Sequence, residues 1–370
     1  LSAASSRTVS AAAGRTAAYP GFEWTDDGDE IATVLVPENR SPRPVESRIP
    51  VGPQVKQTED GKNMLRTYAS LMATPYDEEL LEWHATGQLA VIDVDSRDVD
   101  EMGEPAMITS FDFSPTGQHA RVETMQKPFS YIVPVRSFGH VEEVWDRDGT
   151  VMVELEETET QTGIDGSRPS APGVGGSDEE PERRQLSWRE DGAGLTFLQR
   201  ESAPDEEAEE DEDEDNGRRA DRVMLWAPPF DDSSLSVVYE TTSRIAEHGF
   251  SEDHGMLFLT ERPQGGNGGT VKTYAVDLGD PETTYTLTEW DSDEFYENPG
   301  SLLPADGSVP VRRRFGGGGG GAQRVETSAD GRFAYLYGSV YNEDPMVESP
   351  RNFIDRIEIR TGEKDRIFEA

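Results

Sequence analysis

The chain contains no cysteine. That removes disulfides, thiolate nucleophiles and cysteine-bound zinc, but leaves the compartment open. It is nearly as poor in lysine: Lys56, Lys62, Lys127, Lys272 and Lys364 are all there are, so the other 29 of its 34 basic residues are arginine. No apolar run approaches the ~18 residues that a bilayer-spanning helix needs. Residue 1 is Leu and no basic-then-apolar leader follows it, which reads as a fragment or a processed chain. No Gly-x-Ser-x-Gly nucleophile elbow occurs. The glycine run Gly316 to Gly321 lacks the Lys-Ser/Thr of a phosphate loop and reads as a linker. The five histidines, His84, His119, His140, His248 and His254, include no His-x-x-x-His pair. His248 and His254 flank a strand start and are expected as solvent-exposed loop residues. Asp146-Arg-Asp148-Gly149 and Asp291-Ser-Asp293 share pieces of a calcium loop without its bidentate Glu, and the first reads as a hairpin turn. Neither a metal nor a cofactor is expected.

What is abundant is negative charge. Asp and Glu number 74 against 34 basic residues, a net charge of −40 spread along 370 residues. Self-repulsion on this scale destabilises a compact state in dilute buffer and is screened by salt, which suggests a halophilic source. The compartment is then the periplasm or medium, or the cytoplasm of an organism that accumulates salt. With no basic stripe to displace counterions, nucleic acid is not an expected partner. Apolar residues make up only 34%, but 6 Trp, 11 Tyr and 14 Phe supply core material.

Five segments share one pattern: an apolar or aromatic strand start, a polar turn closing on Gly, then a second apolar strand. They begin at Phe22, Phe111, Leu186, Phe250 and Val325, and their turn glycines are Gly28, Gly117, Gly192, Gly255 and Gly331. Such turns supply the positive φ that tight hairpins demand. A second, alternating strand–turn–strand pattern follows, as in Leu89 to Asp93, Val141 to Gly149, Thr273 to Asp277, and Phe353 to Gly362 with Asp365 to Phe368 beyond it. Hairpin plus hairpin makes a four-stranded antiparallel blade, so the expected fold is all-β: a β-propeller with about five recognisable blades, an incomplete ring of a seven-bladed propeller. A sandwich of ordinary hairpins is the rival architecture. The glycines lie 63 to 89 residues apart, whereas a compact blade needs only ~40–45. The surplus falls in Ser41 to Thr86, with a short helix over Asp77 to His84, and in insertions near 157–182, 202–217 and 315–322 that read as flexible and solvated. Residues 1–20 read as the end of a preceding blade or a linker, and 21–370 as blades. An incomplete ring would leave blade faces and a strand edge uncovered, which predicts association or poor solubility; the oligomeric state itself is left open.

The densest segment for chemistry is Lys127-Pro-Phe-Ser-Tyr131-Ile-Val-Pro134-Val-Arg136-Ser-Phe138, with two prolines, three aromatics and two basic residues in an acidic chain. Arg66-Thr-Tyr68 is a smaller case. The prolines and aromatics suit a structural plug between blades. The alternative reading makes Lys127, Tyr131, Arg136 and Arg66 substrate-binding residues that meet an acidic group.

Several of these segments carry a resemblance. Val51-Gly-Pro-Gln-Val, Gly61-Lys62, Arg66-Thr-Tyr68, Pro75-Tyr-Asp77-Glu78, Ala85-Thr-Gly-Gln88-Leu89, Lys127 to Pro134 and Val144-Trp-Asp-Arg-Asp-Gly149 are similar to the propeller of the glutamyl endopeptidase branch of the prolyl oligopeptidase family (S9). The likeness runs in order from about Gly21 to the C-terminus. The long acidic and Gly/Ser-rich insertions depart from it, as does His84 at a usually aromatic position. The resemblance implies a propeller joined to a C-terminal α/β-hydrolase domain that carries a Ser-Asp-His triad. It implies peptide substrates, cleavage after Glu or other acidic residues, and a gating role for these blades. On this reading the chain lacks a nucleophile of its own and stops where the hydrolase domain begins, with that domain as its partner. A non-catalytic propeller that binds proteins or peptides remains the alternative.

Overall fold

The structure is a computed structural model that describes residues 22–25, 28–47, 71–161, 183–202, 219–262, 268–305, 323–341 and 349–370. It divides into two compact units, Leu1–Ser170 and Ala171–Ala370. Most of the described residues lie in antiparallel sheets of four strands that follow one another in chain order.

The first unit holds two sheets. Sheet I is built from β1 (Glu23–Trp24), β2 (Glu30–Leu35), β3 (Gly87–Asp93) and β4 (Val99–Ala106). Sheet II is built from β5 (Ile108–Phe113), β6 (His119–Met125), β7 (His140–Asp146) and β8 (Val151–Thr158). Alternation with period two sends Ala32, Val34, Leu89, Val91 and Met102 of sheet I onto Ile108, Phe111, Phe113, Ala120, Val122 and Trp145 of sheet II. Arg147 clamps the seam, with Nη2 2.5 Å from Glu30 Oε1 and Nη1 3.2 Å from the Gly117 carbonyl.

The second unit holds three sheets. Sheet III is β9 (Arg183–Trp188), β10 (Leu195–Arg200), β11 (Asp221–Trp226) and β12 (Leu235–Thr241). Sheet IV is β13 (Ile245–Phe250), β14 (Met256–Glu261), β15 (Thr270–Asp277) and β16 (Thr284–Asp291). Sheet V is β17 (Ser301–Leu302), β19 (Phe333–Val340), β20 (Arg351–Glu358) and β21 (Lys364–Glu369), while β18 (Gln323–Arg324) adds to sheet IV, parallel to β13. Sheet IV is buried on both faces. Leu257 and Leu259 pack toward Leu198 and Val223 of sheet III, while the intervening Phe258 packs toward Ala334, Leu336 and Ile357 of sheet V. Each such side chain contributes about 1.5–3 kcal/mol by leaving water.

Three sequence expectations need correction. The fifth repeat does not open its sheet with Val325: Ser301–Leu302 pairs with Tyr337 and Leu336, and the segment at Val325 bridges instead to Pro304 and, through Thr327, to Ala334. The Asp330-Gly331 turn does form, with Gly331 N–H donating to the Ser328 carbonyl. His248 is not an exposed loop residue but lies buried within β13. The 157–182 insertion begins later, because Glu157 and Thr158 belong to β8. The expected helix is present and slightly longer, α1 (Pro75–Ala85). The segments 1–20, 202–217 and 315–322 lie almost wholly outside the described residues, as does Arg66.

Strand direction gives every sheet two unlike ends. In an antiparallel meander the first–second and third–fourth connections share one end, and the second–third connection lies at the other. The first kind are short in sheets I, II and IV, at 25–29, 94–98, 114–118, 147–150, 251–255 and 278–283; sheet III has 189–194 and 227–234, and sheet V has 303–332 and 359–363. The second kind are 36–86, 126–139, 201–220, 262–269 and 341–350. The longest connection of each of sheets I to IV therefore lies at this second end, where loops can carry function without disturbing the ladders, whereas sheet V has its longest, 303–332, at the other.

Candidate functional site

In the first unit, the long-loop end is built by α1 and the 126–139 connection. α1 begins where Thr74 and Asp77 form a capping box: Thr74 Oγ1 accepts from Asp77 N–H at 3.3 Å and Asp77 Oδ2 accepts from Thr74 N–H at 2.9 Å. Pro75 at the first turn needs no donor there. The Arg40 guanidinium lies 4.1 Å from the Trp83 ring centroid and donates to the Thr86 carbonyl at 3.3 Å, while Trp83 Nε1 donates to the Ser41 carbonyl at 2.7 Å. Leu81 and Ala85 then pack with Met72, Met107, Met125, Phe129, Val133 and Phe138 in a small separate core.

The 126–139 connection is held by Phe129 stacked on Phe138, centroids 5.4 Å apart, and by Thr160 Oγ1, which accepts from Gly139 N–H and donates to the Pro128 carbonyl, both at 3.0 Å. The Lys127–Pro128 bond is cis. The connection is a packed structural element, as its prolines and aromatics suggest, but its main packing partner is α1, and it carries two of the expected site residues against that helix. Lys127 Nζ lies 2.6 Å from Glu82 Oε2. The Tyr131 phenol is hydrogen-bonded to Glu78, which pushes its pKa up to about 12, with partial burial adding to the shift. Glu78 and Glu82, one helical turn apart, share a face. Between them and the connection lies a cleft of about 500 Å³ lined by Glu78, Glu79, Glu82, Lys127, Pro128 and Phe129. Its lining has three carboxylates to one ammonium. Arg136 stands exposed on the 3-10 turn Val135–Ser137, away from that lining. The structure therefore joins Lys127 and Tyr131 through α1 and leaves Arg136 outside the cleft.

The second unit has polar groups at the same end of its sheets that sequence reading missed. Asp221, fully buried at the start of β11, accepts from Arg184 Nη2 at 2.5 and 2.7 Å and from Ile245 N–H at 2.8 Å. Gln185 donates to the Ala246 carbonyl at 2.6 Å, which turns its Oε1 toward His248 Nδ1 at 3.1 Å. His248 Nδ1 therefore carries the proton, and its Nε2 has no hydrogen-bond partner. Burial, with the nearby Arg184 charge, pushes the His248 pKa down to about 3. Among the described residues no group of three or more metal-ligating side chains occurs, and His254 sits in the β13–β14 turn against the Phe250 ring.

No protein-family model matches the chain. It is 24% identical over 361 residues to a probable chloroplastic glutamyl endopeptidase of Arabidopsis thaliana, covering 96% of this chain and 34% of that protein. The corresponding protein of Oryza sativa subsp. japonica is 23% identical over 362 residues, with 96% and 35% covered. The chain thus spans about a third of the length of the curated relatives it matches. Among solved structures, a putative dipeptidyl aminopeptidase IV from Bacteroides ovatus aligns over 95% of this chain and 40% of its own, at 10% identity and a TM-score of 0.40.

Proposed function

We propose that this chain is the β-propeller region of a serine peptidase of the prolyl oligopeptidase family, and that it gates peptide access to a catalytic centre on an α/β-hydrolase domain. The observation that carries the reading is the succession of four-stranded antiparallel meanders, in chain order, along a sequence collinear with proteins named glutamyl endopeptidase over 96% of its length. Each meander acts as one blade of an incomplete ring of a seven-bladed propeller. In the whole enzyme a serine attacks the peptide carbonyl with help from a histidine base. The propeller excludes folded proteins and admits extended chains, with cleavage following Glu or another acidic residue.

Lys127, Tyr131, Arg136 and Arg66 remain the candidates for contact with that acidic residue. Lys127 keeps half of its side chain exposed beside Glu82, and exposed pairs of this kind contribute only ~0–1 kcal/mol, so a substrate carboxylate can displace the pairing cheaply. The test is to read the gene beyond Ala370 and assay the full product on fluorogenic peptides that end in Glu or Gln. A Gly-x-Ser-x-Gly followed by Asp and His, with Glu-selective hydrolysis abolished by Ser→Ala, supports the proposal. A stop codon after Ala370 favours the non-catalytic binding module. In the full enzyme, K127A/R136A/R66A lowers activity on Glu peptides selectively; unchanged selectivity removes these residues from the site.

A further inference from the structure

At the long-loop end of sheet III, strand register sets Arg184 and Arg200 on one face, and Arg219 lies close enough for its charge to act on Arg200. Leu198 pairs with Arg184 across β9 and β10, and Arg200 pairs with Asp221 across β10 and β11, so Arg184, Leu198, Arg200 and Asp221 point the same way. Arg219 lies two residues before Asp221. Among the described residues only Arg184 of the three has a carboxylate partner: both Asp221 oxygens are taken up by Arg184, and one also accepts from the Ile245 amide. The neighbouring Glu201 is turned elsewhere, with Oε2 accepting from Ala220 N–H at 3.2 Å and Oε1 3.9 Å from Arg222. Among the described residues no carboxylate pairs with Arg200 or Arg219, and the Nε of each is buried with no hydrogen-bond partner. Both side chains are half-buried, so their charges are partly desolvated yet reachable. Arg200 is held below its usual basicity, first by burial and then by the charges of Arg219 and Arg184, with Asp221 acting in the opposite direction.

Acids outnumber bases by more than two to one in this chain. Two neighbouring guanidiniums with no carboxylate partner among the described residues are a costly arrangement here, because like charges repel in a partly dry site. Guanidinium groups form strong charge-assisted bonds with carboxylates, and the cluster already holds one carboxylate, Asp221, whose two oxygens both accept from Arg184 Nη2.

We propose that Arg200 and Arg219, backed by Arg184, form a carboxylate-receiving site on the long-loop end of sheet III, and that its ligand is an acidic group of a peptide. The peptide source rests on the peptidase reading above, whereas the carboxylate chemistry rests on the charge imbalance alone. Binding to the 370-residue chain is followed by fluorescence anisotropy in about 1 M KCl, where the Debye length of ~3 Å suppresses repulsion by the net charge. The probes are a labelled tetraglutamyl peptide blocked at both termini, its tetraglutamine counterpart, and the tetraglutamine peptide with a free C-terminus. A second host, with the acids of Asp205 to Asp215 replaced by Asn and Gln, guards against competition from the chain's own carboxylates.

Either host should bind one carboxylate-bearing peptide at least tenfold more tightly than blocked tetraglutamine, and R200Q/R219Q should erase the difference. Preference for blocked tetraglutamate identifies a side-chain carboxylate as the ligand, and preference for the free C-terminus identifies a terminal one. R200Q/R219Q removes repulsion rather than a pairing, so its denaturation midpoint should match or exceed that of the wild type. Equal binding of all peptides in both hosts, binding retained by R200Q/R219Q, or tighter competition by inorganic phosphate than by tetraglutamate overturns the proposal. The assay needs no hydrolysis, so its failure leaves the peptidase reading standing, and a stop codon after Ala370 leaves this site standing.

Discussion

Acidification should loosen sheet III and sheet IV through a single imidazole. His248 is buried in β13, donates from Nδ1 to Gln185, and presents an unpartnered Nε2. A proton added to Nε2 would create a buried charge beside Arg184 and a donor with nothing to receive it. Its pKa accordingly falls from 6.5 to about 3. The unfolded chain takes up this proton more readily than the folded one. The contribution is therefore complete above pH 6.5 and drains away as the pH falls toward about 3. For a single group moving between these values, the loss from pH 7 to pH 5 is about 2 kcal/mol. Two measurements check it. In a proton NMR titration the His248 ring signals should stay those of a neutral imidazole down to pH 4. Hydrogen exchange of the β13 amides, corrected for intrinsic rates, should lose about 2 kcal/mol of protection between pH 7 and 5 in the wild type, beyond any loss in His248→Gln. Carboxylate effects are common to both proteins and cancel. Equal losses in the two, or a His248 signal that titrates near 6.5, would refute the argument.

Three further outcomes follow from the same geometry. Asp221→Asn leaves Arg184 buried without a counter-charge and should cost about 3–5 kcal/mol in urea denaturation, with little rescue by salt. Gly149→Ala should cost at least ~2 kcal/mol by the same assay, because Gly149 has a φ of +79° and an added Cβ would lie 1.9 Å from Gly103 N, forcing apart the turn and β4 that close sheet II on sheet I. The net charge of −40 predicts a thermal midpoint that rises steadily from about 0.1 M to above 1 M KCl as repulsion is screened; a flat or falling midpoint would argue against the salt-adapted reading.

The readable parts of the fold are those whose cause is local. Asp-Gly turns mark themselves because few residues tolerate positive φ, and four of the five turn glycines adopt it. The fifth turn achieves it one residue earlier, at His254, with φ of 54°. The outer hairpin of sheet III escaped notice for the same reason in reverse: β11 and β12 join through Pro228-Pro229-Phe230, where Phe230 takes the positive φ, and no Asp-Gly signals a turn. The split of the fifth repeat between sheets IV and V was also hidden, since Val325 has the right residues but Ser301–Leu302 occupies its expected place in the ladder.

The candidate sites divide along the same line. Lys127 to Phe138 announces itself by composition, and its packing follows from its own prolines and aromatics. Its partners Glu78 and Glu82 lie 45 or more residues away in sequence, on a helix whose face is chosen by the small core around Leu81 and Ala85. The arginine cluster has little local signature beyond two Arg-Arg doublets. Arg184 follows Arg183 and Arg219 follows Arg218 in the sequence, far apart along the chain, and the registers Leu198–Arg184 and Arg200–Asp221 put Arg184 and Arg200 on one face. A sequence of this composition nevertheless holds one usable clue. Where acids dominate, an arginine at a strand end on either side of an acid run, as Arg200 and Arg219 flank 201–218, has every opportunity to pair. That neither pairs with a described carboxylate makes the charge itself the feature to be explained, and a carboxylate from outside the sheet explains it without asking the fold to tolerate a repulsion for nothing.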